Sequence, residues 1–334
     1  TSASRPKRTS PAKTAEGKSD PGPKGGSRIH DPDRPPDKWS VRISYHLRYE
    51  AAPKGRFRKR KSSKKQTNMK KILSTILALA ACTTLTAQDF KITHGPWLCD
   101  LTSDGVTVVW ATSKPALSWV EVAEDDGRSF YAAEHERRYE TVAGRKQARK
   151  TLHSIRLKGL RPDTKYRYRI FSQEVREWKY NDKVYYGDIA ASNVYSRQPF
   201  AFSTLPTSGC DLSFVVLNDI HGRADYMAGL CRPIDFAQID FVAFNGDMSN
   251  STESPEQLYR DFIDASVGAF ASETPILYNR GNHETRGIYA DHLPEYFPKV
   301  GGNYYKLYMA GSVAVLLLDC GEDKPDSDIE YGGL

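Results

Sequence analysis

Asn218-Asp219-Ile220-His221-Gly222, Gly246-Asp247-Met248-Ser249-Asn250 and Gly281-Asn282-His283-Glu284 gather carboxylate, imidazole and amide side chains into three short islands. A mixed oxygen and nitrogen donor set of this kind suits Fe, Mn or Zn better than Ca or Mg. Each island directly follows an apolar run: Leu212 to Leu217, Phe241 to Phe244, and Pro275 to Tyr278. Runs of that length, rich in Val, Phe, Leu and Ile, read as buried strands of an α/β sheet. Loops that leave such strands share one carboxyl edge, where open α/β sheets bind ligands. Asp219 and His221 stand two apart, so in an extended segment both face the same way and can chelate one ion. The pattern points to a metal site suited to chemistry on phosphate.

The region ahead of the islands reads differently. Val106-Thr107-Val108-Val109-Trp110 and Trp119-Val120-Glu121-Val122 are strand-like, and Leu152 to Leu157 alternates apolar and polar residues. Turn signals at Ser103-Asp104-Gly105, Asp125-Asp126-Gly127 and Arg161-Pro162-Asp163 punctuate them at the spacing of a β-sandwich. The segment Leu160 to Tyr168 (LRPDTKYRY) resembles the fibronectin type III corner, in which a tyrosine hydroxyl ties the loop before its strand. Trp110 and Trp119 are then expected in or near the core.

Charge is distributed unevenly. Residues 1–68 hold 19 basic and 6 acidic residues, a balance of +13 against +7 for the whole chain, which leaves the remainder at −6. This arm is rich in Pro, Gly, Ser, Lys and Arg and carries too little apolar surface to fold. A disordered basic arm can bind nucleic acid or an anionic membrane. However, Met69-Lys70-Lys71, the apolar stretch Ile72 to Cys82 and the small residues up to Ala87-Gln88 form the three regions of a secretory signal peptide. The stretch falls short of the roughly 20 residues of a membrane span. We therefore expect Met69 to be the start, residues 1–68 to lie upstream of it, 69–88 to be removed on export, and no nucleic-acid partner for the mature chain. Cleavage before Gln88 gives a soluble periplasmic or extracellular protein. The alternative, a lipobox at Leu79-Ala80-Ala81-Cys82, gives an outer-membrane lipoprotein tethered through Cys82. Cys99, Cys210, Cys231 and Cys320 are scattered and do not form a disulfide framework.

His94-Gly95-Pro96-Trp97-Leu98, Thr107 to Trp110 and the Leu160 to Tyr168 corner resemble the N-terminal sandwich of purple acid phosphatases. The three islands resemble the first motifs of the calcineurin-like metallophosphoesterase superfamily. Together they cover residues 89–334. The resemblance implies a fibronectin type III-like β-sandwich over 89–205, followed over 210–334 by a layered α/β metallophosphoesterase domain. It implies two divalent or trivalent ions, a phosphate-ester substrate, and attack by a metal-bound hydroxide at a dinuclear centre. Asp219 and His221 would hold one ion, Asp247 would bridge, and Asn282 would offer its carbonyl oxygen to the second. His283 would contact the phosphate and assist the leaving group instead of ligating, and Glu284 would orient that histidine.

Several neighbours are open. Arg223 either reaches a substrate phosphate or is a solvated loop charge. Asn250 occupies the position where purple acid phosphatases place the tyrosine of their coloured iron centre, which argues for the wider superfamily's site. Glu322, Asp323 and Asp326 read as a solvated loop at the rim, and His292 is not assigned as a ligand. The family completes its site with further histidines, including a Gly-His-x-His loop, whereas no histidine follows His292 before Leu334. The C-terminal domain is therefore expected to be incomplete, with weak metal binding and little activity. A non-catalytic extracellular binding module, working through the sandwich, is the alternative.

Overall fold

The computed structural model describes residues 89–180, 183–192, 198–209 and 211–329. The basic arm over 1–68, the leader over 69–88 with Cys82, and Cys210 lie outside them. The first part is built of strands β1 (Ile92–Cys99), β2 (Gly105–Glu124), β3 (Arg137–Tyr139), β4 (Thr141–Val142), β5 (Arg145–Lys146), β6 (Lys150–Lys158), β7 (Lys165–Lys179), β8 (Lys183–Ala191) and β9 (Phe200–Ser203). The second part alternates β10 (Phe214–Leu217), β11 (Phe241–Asn245) and β12 (Ile276–Asn279) with short helices, of which α1 (Ala224–Cys231) is the first. It ends in the hairpin β13 (Lys306–Ala310) and β14 (Val313–Leu317). Among the described residues no helix is long and apolar enough to cross a membrane.

The two strands expected over 106–110 and 119–122 are one. β2 pairs antiparallel with β6 through Ala111, shifts register between Ala111 and Ala116, and from there pairs with β7. Pro115 lies in that interval, and a proline, having no N–H to give a ladder, is tolerated at such an irregularity. Both tryptophans are buried as expected, Trp110 donating its indole N–H to Ser172 Oγ at 2.9 Å. The tyrosine corner forms too: Tyr166 Oη accepts from the Arg161 amide at 2.8 Å.

β1 links the two parts. It pairs antiparallel with β2 and, at Cys99 opposite Ile276, parallel with β12. Trp97 Nε1 donates to Tyr296 O at 2.8 Å and Tyr168 Oη to Ser272 O at 2.6 Å, both buried. Just past β1, buried Asp100 accepts from Tyr308 Oη at 2.7 Å and the Val300 amide at 2.9 Å, which pins the β13–β14 hairpin. Cys99, Cys231 and Cys320 are free thiols.

The order β10-β11-β12 is parallel, with Leu217 opposite Phe244 and Phe244 opposite Tyr278. That register sets the end of each strand at one level, so the three islands leave a common edge. One expectation fails here. β10 is an edge strand among the described residues, with alternate side chains Phe214 and Val216 each 49% exposed, so it is not buried on both faces. Beneath the edge, Phe244, Phe262, Tyr278 and Phe297 pack, with Tyr278 stacked on Phe297 at 4.2 Å.

His153, on β6, gives the fold an acid limit. Its Nε2 lies 2.9 Å from Thr112 Oγ1, and burial, helped by the Lys150 charge, pushes its pKa down to about 3. An unfolded histidine protonates near 6.5 while the folded one does not, so stability is lost as pH falls below 6.5 and continues to fall toward 3. At about 1.4 kcal/mol per pH unit, the His153-dependent loss between pH 6.5 and 4 is expected to reach about 3 kcal/mol. Urea titrations of wild type and His153→Gln at both pH values check this: the variant should lose correspondingly less on acidification.

Candidate metal centre

Asp219, His221 and Asp247 all adopt left-handed backbone, with φ of 54°, 53° and 55°. Non-glycine residues enter this region uncommonly, and such conformations cluster at functional sites. The extended geometry expected for Asp219-Ile220-His221 is therefore absent. The cause is the neighbouring loop: the amides of Asp219, His221 and Gly222 donate to the carbonyls of Gly246, Asp247 and Met248 at 3.2, 2.9 and 2.8 Å. The first island is thus curled along the second, and Asp219 Oδ1 still comes within 3.7 Å of His221 Nε2.

The second and third islands meet through their glycines. A Cβ on Gly246 would lie 2.7 Å from Gly281 Cα, and one on Gly281 only 2.1 Å from Asp247 Oδ1. Only hydrogen at both positions allows this approach. His221, Asp247 and His283 each bring a donor atom to the resulting hollow, all within 4.8 Å of one another. The two imidazole rings stand edge to face, with centroids 4.7 Å apart.

Asn250 sets both histidines. Its amide Oδ1 lies 3.1 Å from His221 Nδ1, while its Nδ2 donates to His221 O at 3.3 Å, which fixes the direction of the amide. Its main-chain carbonyl lies 2.8 Å from His283 Nδ1. Both partners are acceptors, so both Nδ1 atoms carry hydrogen and each neutral ring has its lone pair on Nε2. The donor set fits a transition-metal cation through the His221 imidazole and the Asp247 carboxylate, with the Asp219 carboxylate adjacent and the His283 ring at its edge. Arg286 Nη1 lies against the His283 ring, 3.3 Å from Nε2 and 3.4 Å from Nδ1.

Glu284 does not orient the histidine. Its side chain is fully buried, and its two oxygens accept from four backbone amides: Met248 at 2.6 Å and Ser249 at 3.2 Å on Oε1, Asp247 at 2.9 Å and Gly281 at 2.8 Å on Oε2. Burial raises its pKa, while those amides act to lower it. Arg223 is directed to its own loop, donating to Ile220 O at 2.9 Å and Asp219 O at 2.7 Å. Asn282 gives its Nδ2 to Asp323 Oδ1 at 2.9 Å. His292 bonds Glu295 at 2.9 Å on the surface.

The loop after β14 also differs from expectation. The Glu322 side chain is 3% exposed and receives Arg286 Nε and Nη2 at 2.7 and 2.8 Å, with Arg286 itself 9% exposed. Arg280 grips Asp319 in the same bidentate way at 2.9 and 3.0 Å. Arg286 foremost, then the Asp323 amide and side chain, hold the Glu322 carboxyl well below the usual carboxylate range. Neither arginine was marked by the sequence, because a guanidinium next to a motif says nothing about a carboxylate some forty positions away. The signal available was the bracketing of Gly281-Asn282-His283-Glu284 by Arg280 and Arg286.

Residues 97–195 match the family model of the purple acid phosphatase N-terminal domain, and residues 212–334 match that of the calcineurin-like phosphoesterases. Residues 212–334 belong to the calcineurin-like phosphoesterases. The phosphoesterase segment contains all three islands, and the strand-rich region precedes it in the order found in purple acid phosphatases. Among solved structures, purple acid phosphatase PPD1 from yellow lupin (Lupinus luteus) seeds is similar at 18% identity, over 57% of this chain and 35% of its own, with a TM-score of 0.39. Astrotactin-2, a vertebrate-specific and perforin-like membrane protein, is similar at 13% identity over 40% of this chain and 23% of its own, with a TM-score of 0.19. Likenesses at these scores carry no part of the assignment, which rests on the family models and the geometry of the phosphoesterase site. The chain spans about a third of the length of the lupin phosphatase. No curated protein matches it.

Proposed function

We propose that this chain carries the metal-binding part of a phosphoesterase that hydrolyses phosphate esters at a dinuclear centre. The observation that carries the proposal is the convergence of His221, Asp247 and His283 within 4.8 Å at the common strand edge, with both Nδ1 atoms occupied by Asn250. When bound, Fe, Mn or Zn ions supply Lewis-acid polarisation of the phosphoryl group and an activated water nucleophile. Asp219 and His221 would hold one ion, and the two oxygens of Asp247 would let it serve both. Asn282 is assigned to the second ion through its amide oxygen. His283, its Nδ1 hydrogen held by the Asn250 carbonyl, would first take up a proton at Nε2 and then pass it to the leaving oxygen. The signal-peptide pattern over 69–88 supports an exported protein, and N-terminal sequencing of the native chain tests that part.

The test of the function is calorimetric titration of the purified chain with Mn2+ and Zn2+, followed by hydrolysis of a chromogenic phosphomonoester and phosphodiester. His221→Ala and Asp247→Ala are each expected to weaken metal binding by about 100-fold, since loss of a direct ligand costs at least as much as the 10- to 100-fold typical of losing a ligand's outer partner. Titration of wild type to millimolar metal without binding would rule the proposal out.

A further inference from the structure

One oxygen of Asp323 serves two side chains of the candidate site. Its Oδ1 lies 2.9 Å from Asn282 Nδ2 and 2.9 Å from Arg286 Nη2, while Oδ2 receives Lys324 Nζ at 2.8 Å. An ionised carboxylate only accepts hydrogen bonds, so it dictates which end of the Asn282 amide turns toward it. The nitrogen must face Asp323, and the amide oxygen is left on the opposite side. That choice has chemical weight, because a cation takes the oxygen of an amide and never its NH2 group.

The carboxylate is itself held in place. The segment Asp319–Asp323 leaves β14 and is fastened to the motif loop on both flanks of Asn282. Arg280 grips Asp319 ahead of it, and Arg286 grips Glu322 beyond it, each through two hydrogen bonds. Thr285 Oγ1 adds a weaker bond to Glu322 at 3.4 Å. A bidentate guanidinium–carboxylate pair fixes orientation as well as distance. Two such pairs, at Asp319 and at Glu322 immediately before Asp323, leave Asp323 little freedom to drift from the amide.

We propose that Asp323 is a positioning residue that orients the Asn282 amide for cation binding. The inference rests on the metal-dependent reading above and deepens it by naming the group that readies one ligand. Partners of this kind typically change metal affinity by about 10- to 100-fold when removed.

The experiment is calorimetric titration with Mn2+ of wild type, Asp323→Ala, Asp323→Asn and Asp326→Ala, with the melting temperature of each metal-free protein measured alongside. Asp323→Ala is expected to weaken Mn2+ binding at least tenfold while melting within a few degrees of wild type. Asp323→Asn has no charge but can turn its own oxygen to Asn282, and it is expected to retain affinity to within about threefold. Asp326→Ala removes an exposed acid from the same loop and should bind as wild type does, which separates orientation from bulk charge. If Asp323→Ala does not fold, Asp323→Ser, too short to span to Asn282, is expected to show the same loss. Wild-type affinity in a folded Asp323→Ala or Asp323→Ser overturns the proposal, as does an Asp323→Asn as weak as alanine. If wild type itself binds no metal, the phosphoesterase reading falls together with this one; unchanged affinity in the variants overturns the Asp323 proposal alone.

Discussion

Glu284→Ala is expected to lower the stability of the fold by about 4 kcal/mol or more, among the largest effects a single substitution here can have. The reason is the number of donors its carboxylate serves. Amides of Asp247, Met248, Ser249 and Gly281 all end on its two oxygens in a fully buried position. Each buried donor left without an acceptor costs about 1–3 kcal/mol, and partial entry of water into the vacated volume sets the sum below the simple total. Glu284→Gln keeps the shape yet turns one acceptor into a donor, facing two amides with an NH2 group. It is expected to cost about 2 kcal/mol, intermediate between wild type and alanine. Equilibrium urea unfolding of the three metal-free proteins decides the matter. An alanine variant within 1 kcal/mol of wild type would mean that the four amides find other partners. Because two of those amides border Asp247, the same variants should also weaken Mn2+ binding.

How far this arrangement could be read from the sequence depends on the range of the interaction concerned. The strands over 214–217, 241–245 and 276–279 and the islands after them were legible, because apolar runs and punctuating glycines are local signals. The metal-site character followed from residue type alone. The backbone of Asp219-Ile220-His221 was not legible: its left-handed turns exist because three amides bond to carbonyls on another loop. The joining of the two expected strands into β2 is not legible locally, because Pro115 between them has no N–H to give a ladder, and only pairing with β6 and β7 shows that the chain continues. The resemblance implies that Glu284 orients His283, whereas its carboxylate accepts from four backbone amides and the Asn250 carbonyl holds that ring. Asn250 was noted for the residue it is not, but its value lies in offering two acceptors, one side-chain and one main-chain, to two rings. Glu322 reads as solvated because acids in a Gly-Glu-Asp-Lys-Pro loop usually are.

That last misreading leads to the second large effect, Arg286→Leu. The substitution leaves the Glu322 carboxylate almost wholly covered without its cation, and breaking a buried pair from one side typically costs about 3–5 kcal/mol. Removing both charges is a different matter. Arg286→Leu/Glu322→Leu takes away the desolvation cost along with the attraction, and such replacements are often close to neutral. Some loss remains, since the Asp323 and Lys324 amides, 2.8 and 3.2 Å from Glu322 Oε1, also lose their acceptor. The double variant is therefore expected within about 2 kcal/mol of wild type, which makes the coupling between the two residues strongly favourable in a double-mutant cycle. The pH dependence carries a sign that separates this from simple loss of packing. Arg286 lowers the folded-state pKa of Glu322 below its ordinary value of 4.5, so the pair's contribution is fully present above that pH and is lost as pH falls through the depressed folded value. The cost of Arg286→Leu should therefore be largest at pH 7 and shrink in acid, whereas a packing defect would be insensitive to pH. Urea unfolding of the four proteins of the cycle at pH 7 and pH 4 measures both quantities, and equal costs at the two pH values would assign the effect to packing.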